Sequence, residues 1–237
     1  MAFVHGKSTV VLFNQHDLSE YFDNANLSNN SDTAEITPFG SNSKKYIPGL
    51  KDATVSLEGL YDGSADAVDE ILESVFATEG NELSVYPEGD VFSKPGYSML
   101  AIETAYSTTG TVDGACRISA AVQSSDTAAE RVISLHELGA QAAENWTGST
   151  LNSGAASAAG GSAYLHASAA TGTIEVSIHH SNDNFAADDD ELAAFTAVTG
   201  ATSQRVAFTG AVKQYIRGVA TIGAAETITF QLGFHRA

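Results

Sequence analysis

The sequence Thr-Ile-Thr-Phe-Gln-Leu-Gly-Phe-His-Arg at Thr227–Arg236 carries the clearest structural signal in the chain. Its large apolar residues, Ile228, Phe230, Leu232 and Phe234, alternate with polar residues or glycine. Successive side chains of a β-strand point to opposite faces, so a period of two is typical of a strand with one buried face. This segment is therefore predicted to be a half-buried strand.

Strand patterns of the same kind occur along the whole chain. In Thr54–Tyr61, Val55, Leu57 and Tyr61 alternate with polar residues. The other predicted strands are Ser8–Phe13, Leu83–Tyr86, Met99–Thr108, Ala115–Val122, Arg131–Leu135, Ser162–Ala167, Thr173–Ser181, Ser203–Thr209 and Val212–Ile222. Many short strands separated by turn residues are typical of β-sandwiches and barrels. The sequence predicts a mainly β protein.

One segment has helical spacing instead. Its apolar residues recur at i, i+3, i+4, i+7 and i+8 and would share one helix face, namely Val68, Ile71, Leu72, Val75 and Phe76. The pattern predicts a helix over 65–77, with Ser64 as its N-cap and Gly80 ending the element. A second, short helix is predicted at Asp188–Val198, because acidic residues favour a helix N-terminus.

The domain organisation follows from a change in composition at residues 139–161, which are rich in Gly, Ala and Ser. Such segments form flexible linkers or surface loops. The sequence therefore predicts a β domain at 1–138 with one flanking helix, a linker or loop at 139–161, and a second β-sandwich-like domain at 162–237. Trp146, the one tryptophan, is predicted to anchor the middle segment.

The charge of the chain is strongly acidic, with a net value of −18. Residues 1–137 carry 21 acidic and 7 basic residues, whereas 138–237 carry 8 and 4. Stable binding to nucleic acid needs clustered Lys and Arg, so such binding is not expected. Cys116 is the single cysteine, which leaves no partner for an intramolecular disulfide. We expect neither a secretion signal nor a membrane span.

No motif with catalytic or cofactor-binding spacing is present. Gly6-Lys7-Ser8 lacks the preceding glycine of a phosphate-binding loop. His179 and His180 are adjacent in a predicted strand and would face opposite sides, which disfavours a shared metal ion. The acids at Asp188–Asp190 do not match the calcium-loop pattern, and Cys116 is interpreted as a core residue. We therefore expect no enzyme activity, no catalytic residues, no cofactor and no metal.

Four short motifs occur in order between Asp32 and Asp62: Thr37-Pro38-Phe39-Gly40, Lys45-Tyr46, Gly49-Leu50-Lys51-Asp52 and Gly59-Leu60-Tyr61-Asp62. In this respect the first 135 residues resemble the major tail tube proteins of long-tailed, siphovirus-like bacteriophages. The resemblance implies a tail-tube-type β-sandwich or barrel with one flanking helix. It also implies a structural virion protein that self-assembles into rings, with hexamers expected, and the rings stack into a conduit for DNA ejection.

The resemblance implies partners and location as well. The expected partners are further copies of the chain and the tape measure, tail terminator and distal tail proteins, with DNA only as passing cargo and no membrane. The expected location is the virion tail, after synthesis in the host bacterial cytoplasm. The C-terminal domain would lie on the tube exterior.

The segment Asn24–Lys45 is long, polar and rich in Asn and Ser. Long loops in compact domains are commonly functional or disordered. We predict a loop that orders on ring stacking and joins one ring to the next. The candidate inter-ring or lumen residues are Asp32, Glu35, Thr37, Phe39, Lys44, Lys45 and Tyr46.

Three other interpretations remain open from the sequence. The chain could be another virion component, such as a head decoration or tail terminator protein. It could be a carbohydrate- or surface-binding β module, whose marker would be exposed aromatic residues on one sheet face. It could also be a glycan hydrolase, which would need a pair of carboxylates in a cleft.

Overall fold

The computed structural model describes residues 5–142 and 144–237, and this part of the chain is mainly β, as predicted, with one α-helix. A short 3₁₀ helix at Gly6–Ser8 precedes the first strand. Contacts divide the chain into two compact units, each built from separate stretches. Unit 1 comprises Met1–Ser19, Glu82–Ser98 and Glu130–Ala237, and unit 2 comprises Glu20–Asn81 and Met99–Ala129.

Unit 1 contains two antiparallel sheets. The strands of the first sheet are β1 Val10–Phe13, β2 His16–Asp17, β5 Asn81–Tyr86, β6 Pro95–Thr109, β8 Glu130–Ala142, β11 Gly161–Thr171, β14 Thr202–Phe208 and β16 Thr227–Arg236. They lie side by side in the order β14-β11-β16-β8-β6-β5-β1-β2. The strands of the second sheet are β9 Trp146–Thr147, β10 Leu151–Asn152, β12 Glu175–Ser181, β13 Asp190–Ala194 and β15 Tyr215–Thr221. Their order is β10-β15-β12-β13, and β9 also pairs with β15. Only the first residues of β6, up to Ser98, belong to this unit.

One apolar core joins the two sheets of unit 1, and a smaller buried cluster contains Leu12, Tyr86, Val132 and Tyr164. Phe230 and Leu232 from β16 belong to the same buried cluster as Ile178 from β12 and Ile216 from β15. The alternation seen in the sequence of β16 is real, but Gln231 and Gly233 are buried as well. The reason is that the Tyr86 side chain lies against this other face, where the Gln231 amide donates to the Tyr86 hydroxyl at 2.8 Å and Gly233 leaves room for that hydroxyl.

Unit 2 consists of the sheet β3-β4-β7-β6 and the helix α1, with bounds β3 Phe22–Glu35, β4 Tyr46–Leu60, α1 Val68–Val75 and β7 Arg117–Ser124. Alternate residues of β4 and β7 are buried, including Val55, Leu57, Ile118 and Val122. The chain leaving α1 bonds to β6, where the Ala77 amide donates to the Glu103 carbonyl at 3.0 Å.

The helix exists where the apolar spacing placed it, but its ends differ from the prediction. Its N-cap is Ala67 and not Ser64, and no side chain caps it. The helix ends at Val75, because Phe76 adopts an extended conformation and pairs with Glu103 of β6. Phe76 therefore leaves the apolar face and is 46% exposed. Gly80, with φ of +82°, lies in the later turn before β5.

The predicted helix at Asp188–Val198 is wrong, because Asp190–Ala194 forms strand β13. It pairs with β12, and His180 lies opposite Asp190. The aspartates do not favour a helix N-terminus here because they are used in ion pairs with residues distant in sequence. Asp189 pairs with Arg217 at 2.5 Å, and Lys213 contacts both Asp188 and Asp190.

Residues 139–161 include the end of β8 and the two short strands β9 and β10. Trp146 packs on the core of unit 1, with its ring centroid 5.3 Å from that of Phe230. The division of the chain into 1–138, 139–161 and 162–237 stays a prediction.

Candidate assembly surface

The most distinctive surface feature is the long hairpin formed by β3 and β4. The two strands pair from Phe22↔Gly59 at the base to Glu35↔Tyr46 near the tip. At its base β4 also pairs with β7, from Thr54↔Gln123 to Leu60↔Arg117. Within the described residues the pairing of β4 with β7 ends at Thr54, so the outer part of the hairpin is a two-stranded ribbon. We call residues 29–51 the outer hairpin.

The burial pattern changes at the point where the ribbon begins. Ala53, Val55 and Leu57 are buried at the base of β4. Every residue of the outer hairpin is exposed, except for the half-buried Thr37. The prediction of an irregular loop over Asn24–Lys45 is therefore wrong up to Glu35, which is strand. The sequence shows no alternation there because neither face of the ribbon is buried.

Large apolar side chains are exposed on the outer hairpin. They are Ile36 at 43%, Phe39 at 110%, Tyr46 at 50%, Ile47 at 45% and Leu50 at 81% relative exposure. An isolated two-stranded ribbon is marginally stable in water, and clustered exposed apolar residues mark interaction sites. The outer hairpin therefore has the properties of a surface that is covered in an assembly.

The structure brings together all seven residues proposed from the sequence, since each lies on the outer hairpin. Glu35 pairs with Tyr46 in the ladder and forms an ion pair with Lys44 at 3.1 Å. The Lys45 amide donates to the Thr37 hydroxyl at 2.9 Å, which fixes the connection between the strands. Asp32 lies at the irregularity in the ladder between Ser31 and Thr33, and Phe39 projects from the tip. Their role in assembly stays a prediction.

The outer hairpin differs in charge from the rest of unit 2. It contains Asp32 and Glu35 against Lys44, Lys45 and Lys51, a net of +1. The rest of unit 2 contains 13 acidic residues and one basic residue, a net of −12. A weakly cationic projection on an acidic body is complementary to the body of another copy.

An acidic pocket in unit 2 was not found from the sequence. It has a volume of 370 Å³, and its lining includes Tyr61, Asp69, Tyr106 and Cys116. The Asp69 carboxylate accepts hydrogen bonds from the Tyr61 and Tyr106 hydroxyls, and its bond with Tyr61 raises the pKa of that phenol. Cys116 is exposed and not in the core, because it precedes β7, whose buried residues begin at Ile118.

A serine–histidine pair exists in unit 1, but it is inaccessible. The Ser84 hydroxyl lies 2.7 Å from Nε2 of His166, and Nδ1 of His166 lies 2.6 Å from the Asn14 carbonyl oxygen. Ser84 is fully buried and His166 is 1% exposed, so no substrate reaches the pair. Burial lowers the pKa of His166 to about 4, which keeps the ring neutral. The pair is a buried polar contact.

No group of three His, Cys, Asp or Glu side chains that could hold a metal lies within the described residues. His179 bonds to Asp189 at 2.7 Å, whereas His180 accepts from the Lys213 amide at 3.3 Å. The Asp183 carboxylate accepts from the amides of Ala186 and Ala187, which accounts for an acid in that turn. No helix in the described part of the chain is long and apolar enough to span a membrane.

Two buried carboxyl groups were also missed by sequence reasoning. Glu82 in unit 1 is 3% exposed, and burial raises its pKa to about 8. Glu103 in unit 2 is fully buried, and neither of its carboxylate oxygens has a hydrogen-bond partner among the described residues. Burial raises the pKa of Glu103 to about 7. Burial therefore disfavours the ionised form of both carboxyl groups in the folded state.

Replacing Glu103 with Gln is expected to stabilise the chain at alkaline pH. A raised pKa in the folded state means that stability is greatest below the unfolded value near 4.5 and falls as pH rises to about 7. The free energy of unfolding of Glu103→Gln, relative to that of wild type, should therefore rise by on the order of 3 kcal/mol between pH 4.5 and pH 8. Urea unfolding at both pH values tests this, with exposed Glu79→Gln as the control. The prediction would be contradicted if the variant and wild type differed by the same free energy of unfolding at pH 4.5 and at pH 8.

The chain was compared with known proteins. No protein-family model and no curated protein sequence matches it. A chain from the virion of a native gene transfer agent particle is 18% identical, with a TM-score of 0.43 over 53% of this chain and 97% of that chain. The SPP1 tail tube protein is 13% identical, with a TM-score of 0.42 over 51% and 74%. The SPP1 Dit protein, from a hub adsorption apparatus, is 11% identical, with a TM-score of 0.37 over 94% and 98%.

Proposed function

We propose that this chain is a structural virion protein that self-assembles into stacked rings and forms the tail tube of a long-tailed bacteriophage. The observation that carries the proposal is the outer hairpin, a two-stranded ribbon that is exposed on both faces and has large apolar side chains. Such a ribbon gains stability when another surface covers it. A second copy of the chain is a suitable partner, because its acidic unit 2 is complementary in charge to the weakly cationic outer hairpin.

Two properties support this proposal. The four motifs that resemble those of tail tube proteins lie mainly in the outer hairpin and at the base of β4. The resemblance and the exposed ribbon therefore concern the same segment of the chain. The net charge of −18 suits the wall of a DNA conduit, because an acidic wall repels phosphate and lets DNA pass without adhering. Asp32 and Glu35 are the proposed lumen candidates.

In this proposal the protein has no catalytic role and no cofactor. The rings are hexamers, and the ends of the tube contact the tail terminator and distal tail proteins. The tape measure protein occupies the lumen before DNA does. The protein is made in the host bacterial cytoplasm and is located in the virion tail, with the C-terminal residues 162–237 on the tube exterior.

Negative-stain electron microscopy of the purified chain over a range of concentration and salt tests the proposal. Hollow tubes or stacked rings of uniform width are the expected result, and they would give the ring symmetry directly. Small closed oligomers without a lumen, or a chain that stays monomeric even when seeded with preformed tails, would contradict it.

A further inference from the structure

The five arginines of the chain fall into two groups. Three of them have carboxylate partners: Arg117 with Asp23 at 2.7 Å, Arg205 with Glu130 at 3.0 Å and Arg217 with Asp189 at 2.5 Å. The remaining two, Arg131 and Arg236, form no ion pair within the described residues. In a chain with 29 acidic residues, two arginines without a carboxylate require an explanation.

Both of these arginines line the same pocket of unit 1, which has a volume of 480 Å³. Phe234 of β16 lies directly opposite Ile133 of β8, and Arg236 and Arg131 follow two residues further along these strands. Residues two apart in a strand face the same side, so the two cations and the two apolar side chains share one face. Leu151 adds a third apolar wall, and no acidic residue is part of the lining.

The guanidinium of Arg236 is held in place by neutral groups. It donates to the carbonyl oxygens of Ser153, Ala155 and Lys213, and its Nε is buried without a partner among the described residues. Burial lowers the pKa of Arg236, because desolvation disfavours the charged form of the guanidinium. Like charges that share one sheet face repel each other, so an anion between the two arginines would relieve an unfavourable arrangement.

We propose that this pocket binds a carboxylate next to an apolar side chain, and that the occupant is Val112-Asp113 of a second copy of the chain. These residues lie in the loop between β6 and β7, where the Gly114 amide closes a turn on the Thr111 carbonyl at 3.3 Å. Val112 is 103% exposed, and Asp113 is exposed and forms no ion pair in the described structure. The inference rests on the proposed self-assembly, since it names a contact between copies.

Complementarity is the reason for choosing this occupant. The loop presents one carboxylate beside one branched apolar side chain, and the pocket presents the exposed Arg131 and the positive charge of Arg236 beside the half-buried Ile133 and Leu151. Arginine recognises carboxylates through paired hydrogen bonds, which gives direction as well as attraction. The valine would cover the parts of Ile133 and Leu151 that are open to water.

A direct binding experiment tests the pocket without requiring tubes. A labelled peptide with the sequence of residues 107–119, carrying Cys116→Ser, is titrated with the intact protein and followed by fluorescence anisotropy. We expect saturable binding that weakens at least about tenfold for the Asp113→Asn peptide. The same loss of affinity is expected when the wild-type peptide is titrated with Arg131→Glu protein. The control is Lys7→Glu protein, which has the same change of charge at another exposed basic residue without an ion pair in the described structure. It should bind the peptide with wild-type affinity.

Equal affinity for the two peptides, no binding at all, or equal losses for Arg131→Glu and Lys7→Glu would each overturn the proposal. Arg131 is chosen for the variant because its side chain is exposed and makes no hydrogen bond in the described structure, so folding should be retained. A melting temperature equal to that of wild type confirms this before titration.

A charge swap then tests the contact in the assembly. Asp113→Arg and Arg131→Asp should each reduce tube formation, and the double variant should restore it. If each single variant forms tubes as well as wild type, the docking contact is wrong while the tail tube proposal stands. If wild type forms no tubes but the peptide binds as expected, the proposed function fails and the carboxylate pocket stands.

Discussion

The double variant Phe39→Glu/Leu50→Glu is expected to remain folded and to lose assembly at concentrations where the wild-type chain forms rings or tubes. Both side chains are more exposed than the other large apolar residues of the outer hairpin. Neither contributes to the core, so unfolding should be unaffected. In an assembly they would act as apolar anchors, and placing two carboxylates in such a contact should raise the critical concentration by about 100-fold or more.

The control is Val91→Glu, which introduces one carboxylate at an apolar residue in unit 1 that is 49% exposed, and each single variant of the outer hairpin adds the same charge. Sedimentation velocity and electron microscopy at several concentrations would report assembly, and thermal unfolding would report stability. If the double variant assembles like wild type, the outer hairpin is not the contact. If Val91→Glu is equally defective, the loss results from added negative charge in general.

Replacing Arg205 with Ala is expected to cause the largest loss of stability among single changes of charged residues. Arg205 donates to Glu130 at 3.0 Å, and Glu130 also accepts from Ser162 and Tyr164. The two side chains are only 15% and 20% exposed. Removing the arginine leaves a carboxylate in a poorly solvated site, which typically costs about 3–5 kcal/mol. Chemical denaturation at pH 7 should show this as a lower midpoint with an unchanged slope.

The pH dependence of the same variant gives a second measurement. Burial by itself would raise the pKa of Glu130, but hydrogen bonds from Ser162, Tyr164 and Arg205 outweigh it and hold the pKa below its ordinary value. A lowered pKa stabilises the folded state above the unfolded value near 4.5, and this contribution is lost as pH falls through the folded pKa. The difference between wild type and Arg205→Ala should therefore shrink in acid.

Arg117→Ala is the control for this prediction. Arg117 forms an even shorter pair with Asp23, at 2.7 Å, but both side chains are largely solvated, at 46% and 54% exposure. Exposed ion pairs contribute little to stability, so the melting temperature should hardly change. Similar losses for Arg117→Ala and Arg205→Ala would mean that burial does not determine the importance of these pairs.

Local patterns predicted the elements that have one buried face. The alternation at Thr54–Tyr61 and Thr227–Arg236 identified β4 and β16, and the i, i+3, i+4 spacing identified α1. These predictions succeed because burial on one side imposes a period on the sequence that can be read within ten residues. The mainly β class and the single α-helix of the described residues follow from such patterns.

The assembly surface could be predicted only as a segment. The seven candidate residues lie together on the outer hairpin, but the sequence did not show that Asn24–Glu35 is a strand, because a ribbon exposed on both faces has no periodic burial to record. The wrong helix prediction from the acids at Asp188–Asp190 has a related reason. Their partners Lys213 and Arg217 are more than twenty residues away, and that distant pairing selects a strand over a helix.

The sequence by itself thus determined the class of the protein, its acidic charge, its helix and the segment that resembles tail tube proteins, since each depends on composition or on neighbours in the chain. Only the tertiary structure decided which charged groups are paired. Arg205 meets Glu130, whereas Arg131 and Arg236, over a hundred residues apart, line one pocket without an acid. Long-range strand register brings these groups together, and no local pattern encodes it.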